Sequence, residues 1–187
     1  MTMSDRIAVM NRGRYEQLGD PESLYERPST RFVAGFLGIS NLIPATVEGT
    51  DGDYASARLS DESRIKVPRS LLNGAKSVSI GVRPEKIRLT ERSTQPPAGH
   101  NRIVGVVRDA SYLGVSTQYL VESSGGNLTV YEQNVERATR AELWSRGDEV
   151  QMTWSPDHSF VVPADGSESA DPTTDATDAS PAATPPA

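Results

Sequence analysis

Hydrophobic positions along the chain fall in short runs set apart by Gly, Pro, Asn and Asp, and their character changes near Asn41. Ile7-Ala-Val-Met10 is an apolar run suited to a buried strand. Asn11-Arg12-Gly13 follows with a glycine where a left-handed residue is wanted, and Arg14 to Leu18 completes a hairpin signal. Asp20-Pro21-Glu22 reads as N-cap, first helical position and favourable first-turn acid. That helix should run to about Glu26 and stop before Pro28, because the residue ahead of proline disfavours helical angles. Ser29 can cap a second helix, Thr30 to Leu37, closed by Gly38. Its apolar face, Phe32, Val33, Phe36 and Leu37, needs a cover, since eight residues do not hold a helix alone in water.

Beyond Asn41 the pattern becomes one of short strands. The first set is Leu42–Val47, Tyr54–Leu59, Arg64–Val67, Ser77–Arg83 and Ile87–Leu89. Gln95-Pro-Pro-Ala-Gly-His100 interrupts as a flexible connection. Arg102–Tyr112, Val115–Glu122, Leu128–Glu132, Glu149–Trp154 and Phe160–Val162 resume the series, with Val135–Trp144 as one helical excursion. Many short strands at such spacing predict a small barrel or sandwich. No clean internal repeat is evident. The predicted layout is an α/β remnant at 1–40, a mainly β domain at 41–163 and a tail from 164 to 187.

Composition sharpens the tail. Residues 164–187 contain no Leu, Ile, Val, aromatic, Lys or Arg, too little apolar surface to offset ordering entropy, which predicts disorder. The tail also holds five of the 25 acids. Without it the formal charge of −6 becomes −1, with 19 bases against 20 acids in residues 1–163. A body so close to neutral lacks the basic excess that would draw it to nucleic acid. There is no Cys, which excludes disulfides, thiolate metal sites and thiol nucleophiles. No signal-peptide core precedes the first strand, and no stretch approaches the roughly 20 apolar residues that cross a bilayer. These features predict a soluble, cytoplasmic chain without direct membrane insertion.

Candidate chemistry is sparse. A phosphate-binding loop needs Gly-x4-Gly-Lys-Ser/Thr, and the dipeptide Gly-Lys occurs nowhere. The run Ile7–Met10 ends in Asn11, not in the acid that organises Mg²⁺. Ser124-Gly125-Gly126 resembles the Ser-Gly-Gly core of a nucleotide-contacting signature, but it lies between strand runs and reads as a hairpin turn. His100 and His158, the only histidines, sit in turns without partners at metal-ligand spacing. Asp61-Glu62 and Asp148-Glu149 read as solvated strand-edge acids, and Trp154 reads as core. No catalytic, nucleotide-binding or metal residue emerges. Arg83, Pro84 and Glu85 are different: a strand delivers an Arg into a Pro-Glu corner, marking these three as domain-contact candidates.

Taken together, Thr2-Met-Ser-Asp-Arg-Ile-Ala-Val-Met-Asn-Arg-Gly-Arg14, Glu16-Gln17, Leu24-Tyr-Glu-Arg-Pro28, Arg31-Phe-Val-Ala34 and Ser40-Asn41 resemble the end of the nucleotide-binding domain of ATP-binding-cassette importer ATPases. The spermidine/putrescine type is the nearest likeness; ferric, sulfate and sugar importers share much of the pattern. Gly81-Val-Arg-Pro-Glu-Lys-Ile-Arg-Leu89 and Gly147-Asp-Glu-Val150 with Trp154 resemble the transport-associated OB-like (TOBE) domain that follows. The resemblance covers residues 2–163 in order. It implies an OB-like β domain, a second copy and membrane-spanning permease subunits as partners, and a place under the inner face of the membrane. ATP and Mg²⁺ would be cofactors only of an intact subunit, because the family's nucleotide-contacting motifs all precede Thr2-Met-Ser-Asp-Arg6. A natural truncation, a split gene and a fragment all fit this start, and the chain could instead be a stand-alone OB-like binding module for a small anion or nucleic acid. The resemblance also implies that the face of the second helix is orphaned, its cover being the ATPase core.

Overall fold

A computed structural model describes residues 4–134 and 143–164. The predicted helical excursion at 135–144 falls almost wholly outside them, leaving Leu143 and Trp144, which are not helical; the tail beyond Ala164 also lies outside.

The chain opens with a hairpin, β1 (Ile7–Asn11) and β2 (Arg14–Gly19). Its two-residue turn is Arg12-Gly13, both at positive φ, the geometry that matches the twist of paired strands. Helix α1 (Pro21–Glu26) is capped by Asp20, whose carboxylate accepts from the Ser23 N–H at 2.8 Å. The Ser23 hydroxyl, which donates to the same carboxylate at 2.6 Å, and then this amide hold the Asp20 pKa below the ordinary carboxylate value. Helix α2 (Arg31–Phe36) corrects the cap expected at Ser29. Thr30 is the N-cap and accepts from Val33 N–H, while the Ser29 amide donates to Gln17 on β2.

The expectation that the α2 face lies bare is also corrected. Val33 is fully buried with Val9 and Leu24, with Leu37 packed alongside. Ala34 is fully buried against Phe160 and Val162 of the β region. Only Phe32 and Phe36 stay exposed, their rings stacked at 5.9 Å. The helix is therefore turned so that its small and branched residues meet the body of the protein, and its two phenylalanines do not.

Ten strands follow: β3 (Asn41–Asp51), β4 (Tyr54–Arg58), β5 (Arg64–Pro68), β6 (Ser77–Val82), β7 (Arg88–Glu91), β8 (Asn101–Tyr112), β9 (Ser116–Ser123), β10 (Gly126–Gln133), β11 (Glu149–Trp154) and β12 (Ser159–Pro163). They form two antiparallel five-stranded sheets, ordered β12-β6-β3-β4-β5 and β7-β11-β8-β9-β10. These sheets have the mainly β, OB-like character expected, and one apolar core runs between them, with Ile43, Ile80, Tyr119, Met152 and Trp154 at its centre.

The two sheets are built by the same chain course, so an internal repeat exists where none was evident. In each, a long strand folds back twice, and a fourth strand joins the first. Each fourth strand then passes through a single 3-10 turn, Pro84–Lys86 or Pro156–His158. The fifth strand crosses over: β7 pairs with β11 and β12 with β6, so each half lends its last strand to the other. The repeat survives as Val78, Ile80, Val82, Pro84 and Glu85 against Val150, Met152, Trp154, Pro156 and Asp157, a signal too faint to stand out by eye. The first residue of each long strand ties the halves together. The Asn41 amide pairs with both backbone groups of Thr129, at 2.8 and 2.7 Å, and the Asn101 amide does the same to Lys66, at 2.8 and 2.6 Å. Each buried amide thus replaces a missing strand partner at a sheet edge.

Candidate functional site

The end of a short helix leaves carbonyls without intrahelical partners. Neither α1 nor α2 carries a basic residue in its last turn to meet them. Arg83, at the exit of β6, supplies that role from another element. Its side chain is almost wholly buried, at 1% exposure, and the guanidinium fans across both helix ends. Nη2 and Nε donate to the Tyr25 carbonyl at 2.6 and 3.2 Å. Nη1 donates to the Ala34 and Ile39 carbonyls at 3.2 and 3.4 Å and to Ser40 Oγ at 2.6 Å. The Tyr25 ring stacks on the guanidinium at 3.9 Å, and the Phe160 ring lies 5.6 Å away. Burial pulls the Arg83 pKa down, opposed by the charges of Tyr25, Glu85 and Glu26. An arginine keeps its charge there because its planar fork matches several oxygens at once.

Pro84 is buried and starts the 3-10 turn, which aims the next two side chains back at α1. The Tyr25 hydroxyl donates to Glu85 at 2.8 Å, and Lys86 pairs with Glu26 at 3.2 Å. From α2, Arg31 donates to the buried Ser79 hydroxyl at 2.6 Å. The three corner residues therefore come together with Tyr25, Ala34, Ile39 and Ser40, none of which was singled out as a contact from sequence. Carbonyl acceptors leave no mark in a sequence; an Arg entering a Pro-Glu corner does.

Burial, then the bond to Glu85, pushes the Tyr25 phenol up to about 12. Because the folded value exceeds the ordinary one near 10, the neutral phenol stabilises this contact below pH 10, and that contribution is lost as pH rises towards 12. Subtracting the phenolate absorbance titration of Tyr25→Phe from that of the wild type should isolate one tyrosine ionising near 12. A difference curve centred near 10 would mean that the phenol is neither buried nor held by Glu85.

Residues 80–162 match the family described as TOBE domain. The chain carries a TOBE domain. Over most of its length it is similar to the C-terminal, TOBE-bearing part of PotA-type ATP-binding-cassette importer ATPases. It is 46% identical over 172 residues to the spermidine/putrescine import ATP-binding protein PotA of Acidothermus cellulolyticus, covering 90% of this chain and 44% of that protein. The Thermobifida fusca protein of the same name is 41% identical, over 87% of this chain and 42% of its own length. The putrescine transport ATP-binding protein PotG of Escherichia coli is 37% identical, over 87% and 43%. The chain thus spans less than half the length of these relatives. Among solved structures, the cytoplasmic molybdate-binding protein ModG shares the fold, with TM-score 0.56 at 18% identity, over 66% of this chain and 96% of that one.

Arg83, Pro84, Glu85 and Lys86 belong to the TOBE match, whereas Tyr25, Ala34, Ile39 and Ser40 precede it. The corner therefore ties the TOBE domain to the hairpin and helices ahead of it. The other candidates lie apart from this corner. Ser124-Gly125 is the turn of the β9–β10 hairpin, with Gly125 close against Ile43 and Ile103. Glu62 pairs with Arg58 and Glu149 with Arg92 at the surface. Trp154 is buried and donates to Ser159 at 3.0 Å. His100 is exposed, and His158 borders an open cleft of about 540 Å³ beside Asp157 and the α1 residues Glu22 and Glu26. Among the described residues, no cluster of His, Asp and Glu is arranged to hold a metal.

Proposed function

We propose that this chain is the accessory and regulatory portion of a polyamine importer's ATP-binding subunit, and that it performs no catalytic step of its own. Residues 1–40 act as the last elements of the nucleotide-binding domain, and the TOBE domain is carried rigidly behind them. The observation that supports this reading is the Arg83 corner. A TOBE strand caps the ends of both preceding helices, so a displacement of the ATPase-derived unit is passed to the β body rather than absorbed in a linker. ATP and Mg²⁺ would be bound by the part of the subunit that the relatives possess and this sequence lacks. A second copy and permease subunits would be the partners, at the cytoplasmic face of the membrane; among the described residues no helix is long and apolar enough to cross it.

The test joins this chain to the unmatched, preceding part of the Acidothermus relative. In cells lacking their own polyamine importer but supplied with that relative's partner subunits, the fusion should restore spermidine uptake. A stable, abundant fusion without uptake would overturn the reading. Calorimetry on the 187-residue chain alone should show no saturable binding of Mg-ATP; a micromolar dissociation constant would contradict it.

A further inference from the structure

Five of the six asparagines are restrained by the fold. Hydrogen bonds hold the side chains of Asn11, Asn41, Asn101 and Asn134. Asn127 lies within β10, paired with Glu122 of β9. Asn73 differs from all of them. It precedes Gly74 in the β5–β6 connection, and both residues are exposed, at φ 47° and 80°. The Ala75 N–H closes the turn on the Leu72 carbonyl at 2.8 Å. Such a turn needs positive φ at both central positions, which Asn and Gly adopt at least cost. Among the described residues, no hydrogen bond holds the Asn73 side chain or the Gly74 N–H. Nothing lies within 4 Å of where a Cβ on Gly74 would stand. This is also the one Asn-Gly pair in the sequence.

We infer that Asn73-Gly74 is a covalent modification site at which the chain acts on itself, converting Asn73 to isoaspartate and aspartate and opening the turn, with water as the co-reactant. Once base has removed its proton, the Gly74 nitrogen attacks Cγ of Asn73. The N–Cγ bond forms, the bond from Cγ to the side-chain nitrogen breaks, and that nitrogen leaves as ammonia with a proton from water. A five-membered cyclic imide remains, and water opens it at either carbonyl. Breaking the bond from Gly74 N to the Asn73 main-chain carbon gives isoaspartate; breaking the newer bond to Cγ gives aspartate. Glycine matters because a side chain at position 74 would crowd the attacking nitrogen. The missing hydrogen bond matters because a nitrogen tied into a ladder must first be released. Isoaspartate lengthens the main chain by one carbon within the turn. The flanks are anchored, with Leu72 in the core and the Lys76 carbonyl accepting from Val47 N–H at 2.8 Å. The extra carbon must therefore be taken up between them, at the expense of the Leu72–Ala75 bond.

Trypsin cuts after Arg69 and Lys76, so the peptide Ser70–Lys76 carries Asn73 as its one asparagine. When the full chain is held at pH 9, this peptide should gain the mass shift of deamidation at least tenfold faster than any peptide with another asparagine. Its rate in the folded chain should stay within tenfold of the rate in the free peptide of the same sequence. Conversion of Asn73 no faster than the other asparagines would overturn the inference. So would a greater slowing by the fold, which would show that the turn shields the pair. The opening of the turn has its own readout. In the purified isoaspartate form the Ala75 amide should exchange at least tenfold faster than in Asn73→Asp, which carries the charge without the extra carbon. Equal exchange in the two would overturn the claim that the turn opens.

Discussion

Replacing Arg83 with alanine is expected to loosen α1 and α2 from the β body before anything else unfolds. The substitution removes a buried cation and leaves the Tyr25, Ala34 and Ile39 carbonyls to find water or remain unpaired. Hydrogen bonds to a charged group contribute about 1.5–3 kcal/mol each, and several share this one donor, so about 3 kcal/mol should be lost even with water entering the gap. The loss will not be spread evenly. The β sheets keep their own core, whereas α2 is held to them by Ala34, Arg31 and the Arg83 corner. Hydrogen exchange should therefore report it directly. In the wild type the amides of Ala34 and Leu37, bonded to the Thr30 and Val33 carbonyls, should be protected. In Arg83→Ala they should exchange at least a hundredfold faster, while strands β6, β8 and β11 change little. Arg83→Lys should recover only a small part, since an ammonium cannot span oxygens on two helix ends with one fork. Unchanged protection at Ala34 and Leu37 would show that apolar contact alone docks the helix.

Local signals were legible where one residue's chemistry fixes the backbone. Arg12-Gly13, Asp20-Pro21 and the alternating strands each contain their own cause, and each element formed where the pattern placed it. Failures came where two segments compete for one residue. Ser29 has the right chemistry for a cap, but its amide and hydroxyl turn towards Gln17 and Glu16 of the hairpin, so Thr30 caps instead. The face of α2 differs from expectation for a related reason. Phe32 and Phe36 are the most apolar residues of the helix, but Ala34 is the one small enough to sit against Phe160 beneath the Arg83 fork. The repeat was hidden because its halves keep only alternating core positions and the Pro-acid corner. The exchange of fifth strands between the halves leaves no local trace at all.

The Arg83 corner was legible as chemistry but not as a connection. Its Arg, Pro and Glu are adjacent in sequence, while the acceptors that Arg83 serves lie 43 to 58 positions away and are mostly backbone. A reading of the sequence therefore sees the donor and not what it binds. The corner is also sensitive to anything that shifts β6 against β12, and the β6 residue paired with Phe160 is a glycine.

Gly81→Ala is expected to be among the most damaging single changes in the protein. Gly81 lies directly opposite Phe160 in the β6–β12 pairing, and the phenylalanine ring folds over the glycine. A methyl group at position 81 would sit 2.0 Å from Cε2 and 2.2 Å from Cζ of that ring. Those atoms cannot share that space, so the ring or the strand must move. The ring has little room: Phe160 is 2% exposed, packs against Ala34, and lies beside the Arg83 guanidinium. Overpacking of this kind costs about 3 kcal/mol, and the displaced ring should disturb α2 as well as the sheet. A double-mutant cycle separates this from ordinary backbone effects. Phe160→Ala alone should cost about 3–5 kcal/mol through the cavity it leaves. In that background Gly81→Ala should be nearly neutral, or stabilising by up to about 1 kcal/mol, because alanine suits a strand interior better than glycine once the ring is gone. The two sites should therefore show a coupling of at least 2 kcal/mol in urea unfolding, where distant sites add within about 0.5 kcal/mol. Additive costs would mean that the ring swings aside freely, and that the close approach of Gly81 and Phe160 contributes nothing to the seam between TOBE domain and helix.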